Sequence, residues 1–271
     1  MVNQFGDFNM AYADSSDRLA LLLIHGFPLD SGMWVPQLEE LGGFARVIAP
    51  DLRGHGESEA VAGPYSMEML AHDCVGLLEH LAIRPPVVVC GLSMGGYVAF
   101  ELYRQYPELV AGLILVATRA GADSAEAKAN RDKAAESVQT NGVPALVEGM
   151  LPKLLAPQTA AADPPLVDAV RLIMLATSPE GAVGALQAMR DRRDSTPTLA
   201  EINVPTLIIH GRDDQLIPIA EAEAMHQAIK GSTFVVVPDA GHLPNLENPD
   251  LFNDALIDFL EEIEGMLEGE A

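Results

Sequence analysis

The chain has 271 residues, of which 49% are hydrophobic and 20% are charged, so it can bury a sizeable core in one or two domains. Asp and Glu number 39 against 16 Lys and Arg, which gives a formal net charge of −23. A surface of this sign repels phosphate groups, so nucleic acids and anionic membranes are not expected as partners.

Six short apolar runs are predicted strands, because each is rich in Leu, Ile or Val and ends near Gly, Pro or Asp. They are Leu19–Ile24, Val47–Ala49, Val87–Cys90, Leu113–Val116, Thr206–Ile209 and Phe234–Val237. The runs are continuous rather than alternating, so both faces of each strand should be covered, as in a parallel sheet. Helical stretches are predicted between the strands at Ser66–Leu81, Gly95–Tyr106, Ile219–Ile229 and Pro249–Met266. This alternation predicts an α/β protein with a mostly parallel central sheet and helices on both faces.

The alternation of strands and helices stops over residues 119–197, where only helices are expected. Three or four helices inserted between strands suggest a cap over the sheet. We therefore expect residues 1–118 and 198–271 to form the core, and residues 119–197 to form an inserted helical cap.

Local signals mark where the helices of the cap should begin. Asp123 and Glu126 have the spacing of a capping box, for a helix that ends near Gly142. Asp163 and Ser178 each precede a proline, the arrangement of an N-cap residue before a first helical position.

The cysteines and the N-terminal sequence bear on the compartment of the protein and on its need for a cofactor. Cys74 and Cys90 are too few for a disulfide framework, and no His stands at metal-ligand spacing from them. The N-terminal sequence lacks the basic and apolar regions of a signal peptide, and the apolar runs are too short to span a membrane. We expect a cytoplasmic protein without metal or cofactor, and the sequence leaves its oligomeric state open.

Ser93 is the candidate nucleophile. It lies in the sequence Gly91–Gly95, directly after the predicted strand Val87–Cys90 and directly before a helical stretch. This is the setting of a nucleophile elbow, where a glycine two residues to either side makes room for a tight turn that lifts the hydroxyl out of the sheet. The alternative is a glycine-rich turn with an incidental serine. A serine hydroxyl is a weak nucleophile, so it needs a base, and the base needs an orienting acid.

His242 is the best-placed base among seven histidines. It follows the last predicted strand, in a loop at the carboxyl edge of the sheet, where the elbow also emerges. The predicted helices contain three other histidines and a strand ends on a fourth, and we expect these to be surface or structural residues: His72, His80, His226 and His210.

The acid should come from the loop after Thr206–Ile209, which contains the adjacent residues Asp213 and Asp214. This gives the chain order Ser, Asp, His that is expected of such a fold. At least one of the two could instead cap a turn in a solvated loop. Asp239, in the histidine's own loop, is a weaker third candidate.

A tetrahedral intermediate also needs hydrogen-bond donors for its oxyanion. One donor should be the amide of Met94, and the other the amide of Phe27, in the loop after the strand Leu19–Ile24. Gly26 would let the backbone come close. His25 is then expected to hold this loop by hydrogen bonds rather than to act as a second base.

Five sequence blocks occur in the order and spacing of the alpha/beta-hydrolase superfamily. They are His25–Pro28, Asp51–Ser58, Gly91–Gly96, Gly211–Asp214 and Gly241–His242. The chain resembles this superfamily over nearly its whole length, and in detail it resembles the branch of small carboxylesterases and oxoadipate enol-lactonases, which share the Gly-Leu-Ser-Met-Gly-Gly elbow.

The resemblance implies an alpha/beta-hydrolase fold and refines the roles of several residues. In the family the acid is the third residue after the glycine of its loop, which is Asp214 here. The block Asp51–Ser58 is a structural loop in the family, so His55 and Ser58 are not expected to be catalytic. Members that open epoxides or remove halide have Asp at the nucleophile position, whereas Ser93 fits acyl transfer.

We therefore expect a serine hydrolase that cleaves small carboxylic esters through an acyl-enzyme intermediate, a carboxylesterase with the triad Ser93, Asp214 and His242. Phe27 and Met94 would line the pocket floor. Met150 and Met174 are candidates for its ceiling, although each could equally fill the core of the cap.

Two alternatives remain. An enol-lactonase would need a cation for the carboxylate of its substrate, and Arg119 is the best-placed one, although a surface role in an acidic protein is more common for an arginine. A non-catalytic receptor for a small ligand is known on the same scaffold, but it would have no need of a complete triad. The resemblance also implies that perhydrolase activity could accompany ester hydrolysis, with peroxide in place of water.

Overall fold

The computed structural model describes residues 1–5, 8–14, 18–84 and 86–269. Within these ranges the strands are β1 (Val2–Phe5), β2 (Phe8–Asp14), β3 (Ala20–Ile24), β4 (Arg46–Pro50), β5 (Val87–Leu92), β6 (Val110–Val116), β7 (Thr206–Gly211) and β8 (Thr233–Val237). They form one eight-stranded sheet in the order β1-β2-β4-β3-β5-β6-β7-β8. All neighbouring pairs from β4 to β8 are parallel, whereas β2 is antiparallel to both β1 and β4.

The helices of the described ranges are α1 (Val35–Leu41), α2 (Met67–His80), α3 (Met94–Gln105), α4 (Ala125–Asn141), α5 (Val143–Met150), α6 (Pro157–Ala162), α7 (Pro164–Leu175), α8 (Pro179–Asp191), α9 (Thr196–Leu199), α10 (Ile219–Ala228), α11 (Pro244–Glu247) and α12 (Pro249–Gly269). Helix α1 packs against α12, and α2 packs against α3. The mostly parallel α/β fold expected from the sequence is confirmed, and all six predicted strands are present. The outer pair β1 and β2 was not predicted.

The register of the parallel strands brings several loops to one edge of the sheet. Ile24 of β3 lies beside Gly91 of β5. Val116 of β6 lies between Leu92 of β5 and Ile209 of β7. The loops that follow β3, β5 and β7 therefore leave the sheet side by side. These are the loops that contain the candidate site residues.

Only helices, α4 to α9, lie between β6 and β7 in the described chain. We propose that they form the cap expected over residues 119–197. The two ends of this insertion meet, because the amide of Ser195 donates to the carbonyl of Ala120 at 2.9 Å.

The first helix of the cap begins differently from the prediction. Ser124, not Asp123, is its N-cap residue, and the Ser124 hydroxyl accepts the amide of Ala127 at 3.2 Å. The Asp123 carboxylate is buried and binds arginines instead. The other two N-caps are as predicted, because Asp163 accepts the amide of Leu166 and Ser178 accepts that of Gly181.

The cysteines and the lengths of the helices also bear on the expectations from the sequence. Cys74 and Cys90 are both buried free thiols. None of the helices in the described ranges combines the length and the apolar character needed to cross a membrane.

Candidate active site

Ser93 lies at the turn between β5 and α3, and its backbone is strained. Its φ of 55° and ψ of −110° belong to a region that residues other than glycine rarely adopt. Two hydrogen bonds hold the strained residue, since its amide donates to the carbonyl of Val116 at 2.9 Å and the Thr118 hydroxyl donates to its carbonyl at 2.8 Å. The side chain is partly exposed. This is the geometry of a nucleophile elbow.

The glycines on either side of Ser93 are needed because backbone comes too close for a side chain. A Cβ atom at Gly91 would clash with the carbonyl of Gly95, on the other side of the turn. A Cβ atom at Gly95 would clash with the carbonyl of Ile24, at the end of the neighbouring strand β3. The elbow is therefore packed against the strand that leads into the Phe27 loop.

The Phe27 loop lies directly against the elbow. A Cβ atom at Gly26 would come within 2.9 Å of Leu92 Cδ2 and 3.4 Å of Ser93 Cβ, so a larger residue would push the loop away. Phe27 and Met94 are both buried. Among the described residues we find no acceptor for the amide of either one.

His25 fixes this loop to the loop after β4. Its Nε2 accepts the amide of Leu52 at 2.9 Å, so Nδ1 carries the proton and donates to the carbonyl of Gly26, also at 2.9 Å. The ring of His55 lies 5.0 Å from that of His25, between centroids. Burial lowers the pKa of His25 to about 4 and that of His55 to about 3, so both rings are neutral near pH 7.

The structure brings Asp214 and His242 together. His242 Nδ1 lies 2.7 Å from Asp214 Oδ2, and both side chains are buried. The other carboxylate oxygen, Oδ1, accepts the amides of Leu216 at 2.8 Å and Ile217 at 3.0 Å. Burial alone would raise the pKa of the Asp214 carboxyl, but the adjacent His242 ring and the two amides outweigh it and hold this pKa below its ordinary value. An ionised carboxylate only accepts, so Nδ1 of His242 carries the proton and Nε2 is left to take one.

A second histidine, His210, stands behind the acid. Its Nε2 donates to the carbonyl of Ile217 at 2.9 Å and lies 3.5 Å from Asp214 Oδ2. His210 is the last residue but one of β7, just before the loop that contains Asp214 and Ile217, so its hydrogen bond ties the end of that loop back to the strand. Burial lowers the pKa of His210, which keeps the ring neutral.

The structure relates the other candidate residues to the site as follows. Asp213 accepts a hydrogen bond from Gln158 of the cap and makes none to His242. Asp239 is exposed, and its backbone carbonyl accepts a hydrogen bond from the Thr159 hydroxyl at 3.3 Å. The structure forms the hydrogen bond between His242 and Asp214, whereas none joins the Ser93 hydroxyl to His242 in the described residues.

Two exposed histidines contact hydroxyl groups, and the loop that begins at Asp51 is held by an internal hydrogen bond. His72 contacts the Tyr106 hydroxyl at 3.0 Å and His226 contacts the Ser232 hydroxyl at 2.9 Å. Ser58 donates to the carbonyl of Asp51 at 2.7 Å. The described residues contain no group of three or more His, Cys, Asp or Glu that could hold a metal ion.

Arg119 is already paired. Its guanidinium donates to Asp123 at 3.0 Å, and the same carboxylate binds Arg131 at 3.1 Å and Arg192 at 2.7 Å. Arg131 lies in α4 and Arg192 directly follows α8, so the cluster joins these two helices to the segment that follows β6. Met174 is fully buried within the cap and Met150 is partly buried.

Sequence reasoning missed one residue beside the site, Glu247. Its carboxylate accepts the amide of Gly241, directly before His242, at 2.7 Å. The only signal in the sequence is an acidic residue five positions after His242, which has no meaning until the fold is known.

Comparison with known proteins gives the family of the chain. Residues 21–255 match the alpha/beta hydrolase family. Among solved structures, a thermophilic esterase from Thermogutta terrifontis with malate bound is 44% identical, with a TM-score of 0.92 and coverage of 94% of each chain. The enol-lactonase from Burkholderia xenovorans is 30% identical, with a TM-score of 0.89 over 96% of this chain and 100% of that one. A curated relative, 3-oxoadipate enol-lactonase 2 from Acinetobacter baylyi, is 30% identical over 92% of this chain and 91% of its own length. The chain belongs to the alpha/beta hydrolase family.

Proposed function

We propose that the protein is a serine hydrolase that cleaves small carboxylic esters through an acyl-enzyme intermediate. The observation that carries this proposal is the hydrogen bond of 2.7 Å between His242 Nδ1 and Asp214 Oδ2, at the sheet edge where Ser93 stands on its strained turn. This pair gives the base the tautomer that can deprotonate a serine.

In the proposed reaction the Ser93 hydroxyl oxygen attacks the acyl carbon while His242 Nε2 takes its proton. The amides of Phe27 and Met94 stabilise the oxyanion of the tetrahedral intermediate. His242 then gives the proton to the alkoxide as the C–O bond breaks, which leaves an acyl-enzyme and a free alcohol. A water molecule, deprotonated by His242, attacks the acyl carbon, and Ser93 leaves with the proton as the acid is released. Asp214 stabilises the imidazolium in both steps.

The similarity to a known esterase and the composition of the cap support this class of substrate. The Thermogutta esterase, at 44% identity, supports an ester. The cap is rich in Ala, Leu and Met, which offer apolar contact and few specific hydrogen bonds. We expect short- and medium-chain esters, up to about octanoate, with shallow discrimination of about 1–3 kcal/mol per pocket-sized change.

A lactone is the second candidate substrate, because two enol-lactonases are among the similar proteins. Such a substrate carries a carboxylate and would need a cation. Arg119, the cation expected from the sequence, is already paired with Asp123, which favours the ester.

The test is turnover of p-nitrophenyl esters from acetate to laurate, with an enol-lactone and a thioester in parallel. Ser93→Ala, the matched control, should abolish turnover and leave the thermal unfolding transition in place, since loss of a triad member costs about 10⁴–10⁶ in rate. An organophosphonate should label Ser93 covalently. Labelling at another serine, or full activity of Ser93→Ala, would refute the mechanism, and binding of ligands without turnover of any substrate would favour a receptor.

A further inference from the structure

Part of the cap lies directly on the loop of the candidate base. We call residues Leu154–Thr159 the clamp segment. The backbone amide of His242 itself donates to the carbonyl of Leu154 at 2.9 Å. The Thr159 hydroxyl donates to the carbonyl of Asp239, in the same loop, at 3.3 Å. The base therefore depends on the cap for one of its backbone hydrogen bonds.

The clamp segment also holds the loop of the candidate acid. The Gln215 side chain donates to the carbonyl of Leu155 at 3.2 Å, and Gln158 donates to the Asp213 carboxylate. Gln215 and Asp213 are the two neighbours of Asp214. One short stretch of the cap thus contacts both loops that contribute to the Asp214–His242 pair.

Glu247 joins the clamp segment to the histidine loop. Its Oε1 accepts the amide of Gly241 at 2.7 Å, and its Oε2 accepts the amide of Ala156 at 2.7 Å. Burial raises the pKa of this carboxyl, and the hydrogen bonds donated by the amides of Ala156, Gly241 and Leu243 offset part of the rise. A partly buried carboxylate with two short backbone bonds is held in one orientation and fixes the amides that it accepts.

The two segments that Glu247 joins, the histidine loop and the clamp segment, are in close contact. A Cβ atom at Gly241 would lie 2.5 Å from the Ala156 nitrogen and 2.8 Å from the Leu155 carbonyl carbon. The backbone before His242 therefore rests on the backbone of the clamp segment, and a shift of either moves the other.

We propose that Glu247 is a positioning residue for His242, whose carboxylate fixes the histidine loop to the clamp segment so that the docking of the cap sets the place of the base. This inference rests on the proposed function, because it gives His242 the role of base. Glu247 touches no reacting atom and acts through the amides of Gly241 and Ala156.

The first test is Glu247→Gln, which keeps the size of the side chain but turns an NH₂ group toward one of the two amides. We expect kcat to fall about 10- to 100-fold with KM little changed, since a misplacement of about 1 Å can cost about 100-fold. Glu247→Asp, which keeps the charge on a shorter side chain, should recover part of the loss. The matched control is Asp73→Asn, because Asp73 is a buried carboxylate of α2 that is paired with Arg53. It should lose stability and keep its kcat.

The second test approaches the same bond from the cap. Replacement of the Ala156 amide by an ester, with lactic acid in place of alanine, removes the N–H group that donates to Glu247 and adds no atom beside Gly241. It should lower kcat as Glu247→Gln does, and the double variant should be no worse than Glu247→Gln alone, because both remove one interaction. This arm also tests the inference if Glu247→Gln fails to fold.

Two readouts separate positioning from simple loss of stability. The low-field proton resonance of the His242–Asp214 bond should shift or broaden in the Glu247 and Ala156 variants and stay unchanged in Asp73→Asn. The rate of phosphonate labelling at Ser93 should fall in parallel with kcat. A folded Glu247→Gln enzyme with wild-type kcat and an unchanged resonance would overturn the inference while Ser93→Ala remains inactive. Activity in Ser93→Ala would instead overturn the proposed function.

Discussion

Asp213 and Asp214 are neighbours in sequence, yet their carboxylates bind different parts of the molecule. Asp214 Oδ2 accepts a hydrogen bond from His242 Nδ1 at 2.7 Å, whereas the Asp213 carboxylate accepts one from the Gln158 side chain in the cap. The one-residue step along the loop turns one carboxylate toward the candidate base and the other toward the cap.

This difference predicts opposite outcomes for two conservative substitutions. Asp214→Asn should lower kcat about 10⁴-fold, because an amide can donate to Nδ1 and stabilise the wrong tautomer of His242. Asp213→Asn keeps an oxygen that accepts from Gln158 and should stay within about threefold of the wild type. Steady-state kinetics on one p-nitrophenyl ester decides the matter, and the reverse ranking would reassign the acid.

The elbow predicts a strong effect for a single methyl group. Gly95→Ala places a Cβ atom against the carbonyl of Ile24. We therefore expect the free energy of unfolding to fall by about 2 kcal/mol or more and the activity to be lost as well. Gly76→Ala is the matched control, since Gly76 lies within α2 and its Cβ atom would meet nothing within 4 Å. It should gain about 0.5–1 kcal/mol from helix propensity. Urea unfolding measures both, and equal effects in the two variants would speak against a crowded elbow.

The buried pair His25 and His55 predicts a loss of stability in mild acid. Burial lowers their pKa values from 6.5 to about 4 for His25 and about 3 for His55. Between these values and pH 6.5 the two histidines are protonated in the unfolded chain but neutral in the folded protein. Their contribution to stability is complete above pH 6.5 and declines as the pH falls toward those lower values, by about 2 kcal/mol for each histidine between about pH 7 and pH 5.

The measurement is the free energy of unfolding at these two pH values. His55→Gln should lose part of this pH dependence, whereas His226→Gln, which changes an exposed histidine, should keep it. An identical pH dependence in the wild type and His55→Gln would show that the ring is not buried in its neutral form.

Asp30 predicts a change of the opposite sign. Burial raises the pKa of this carboxyl to about 6, and the nearby Asp51 carboxylate adds to the rise, so the folded state disfavours its ionised form. The resulting loss of stability is small near pH 4 and nearly complete by about pH 7. Asp30→Asn keeps an oxygen for the amide of Gly32, 2.8 Å away, and should raise the unfolding temperature at pH 8 but not at pH 4. A variant equally stable or unstable at both pH values would contradict this assignment.

The acidic surface predicts how salt changes the kinetics. A formal net charge of −23 repels anionic esters, and salt screens this repulsion. The kcat/KM of an ester with a carboxylate should rise with added salt more than that of a neutral ester of the same size. Parallel responses of the two esters would show that the surface charge does not reach the site.

The sequence was sufficient where local pattern and chain order decide the structure. Ser93, Asp214 and His242 could be placed on one edge because each follows a recognisable parallel strand. The sequence was insufficient where groups far apart in the chain compete for the same side chain. Asp123 and Ser124 are both good N-cap residues, and Ser124 caps α4 because arginines from α4 and from beyond α8 bind Asp123.

Other features escaped prediction for related reasons. Strands β1 and β2 lie at the outer part of the sheet, where β2 lacks the continuous apolar run that marked the inner strands. Glu247 could not be recognised because its partner Ala156 lies 91 residues earlier in the chain.

The hydrogen bond between Ala120 and Ser195 has a consequence for protein engineering. An insertion whose ends already touch adds no strain to the strands that it separates, so its length and helix number can change while the sheet stays intact. Grafts between Ala120 and Ser195 from other hydrolases should therefore fold readily. Their success as enzymes will depend on whether the donor supplies a counterpart to Leu154–Thr159 for the recipient's acid and histidine loops.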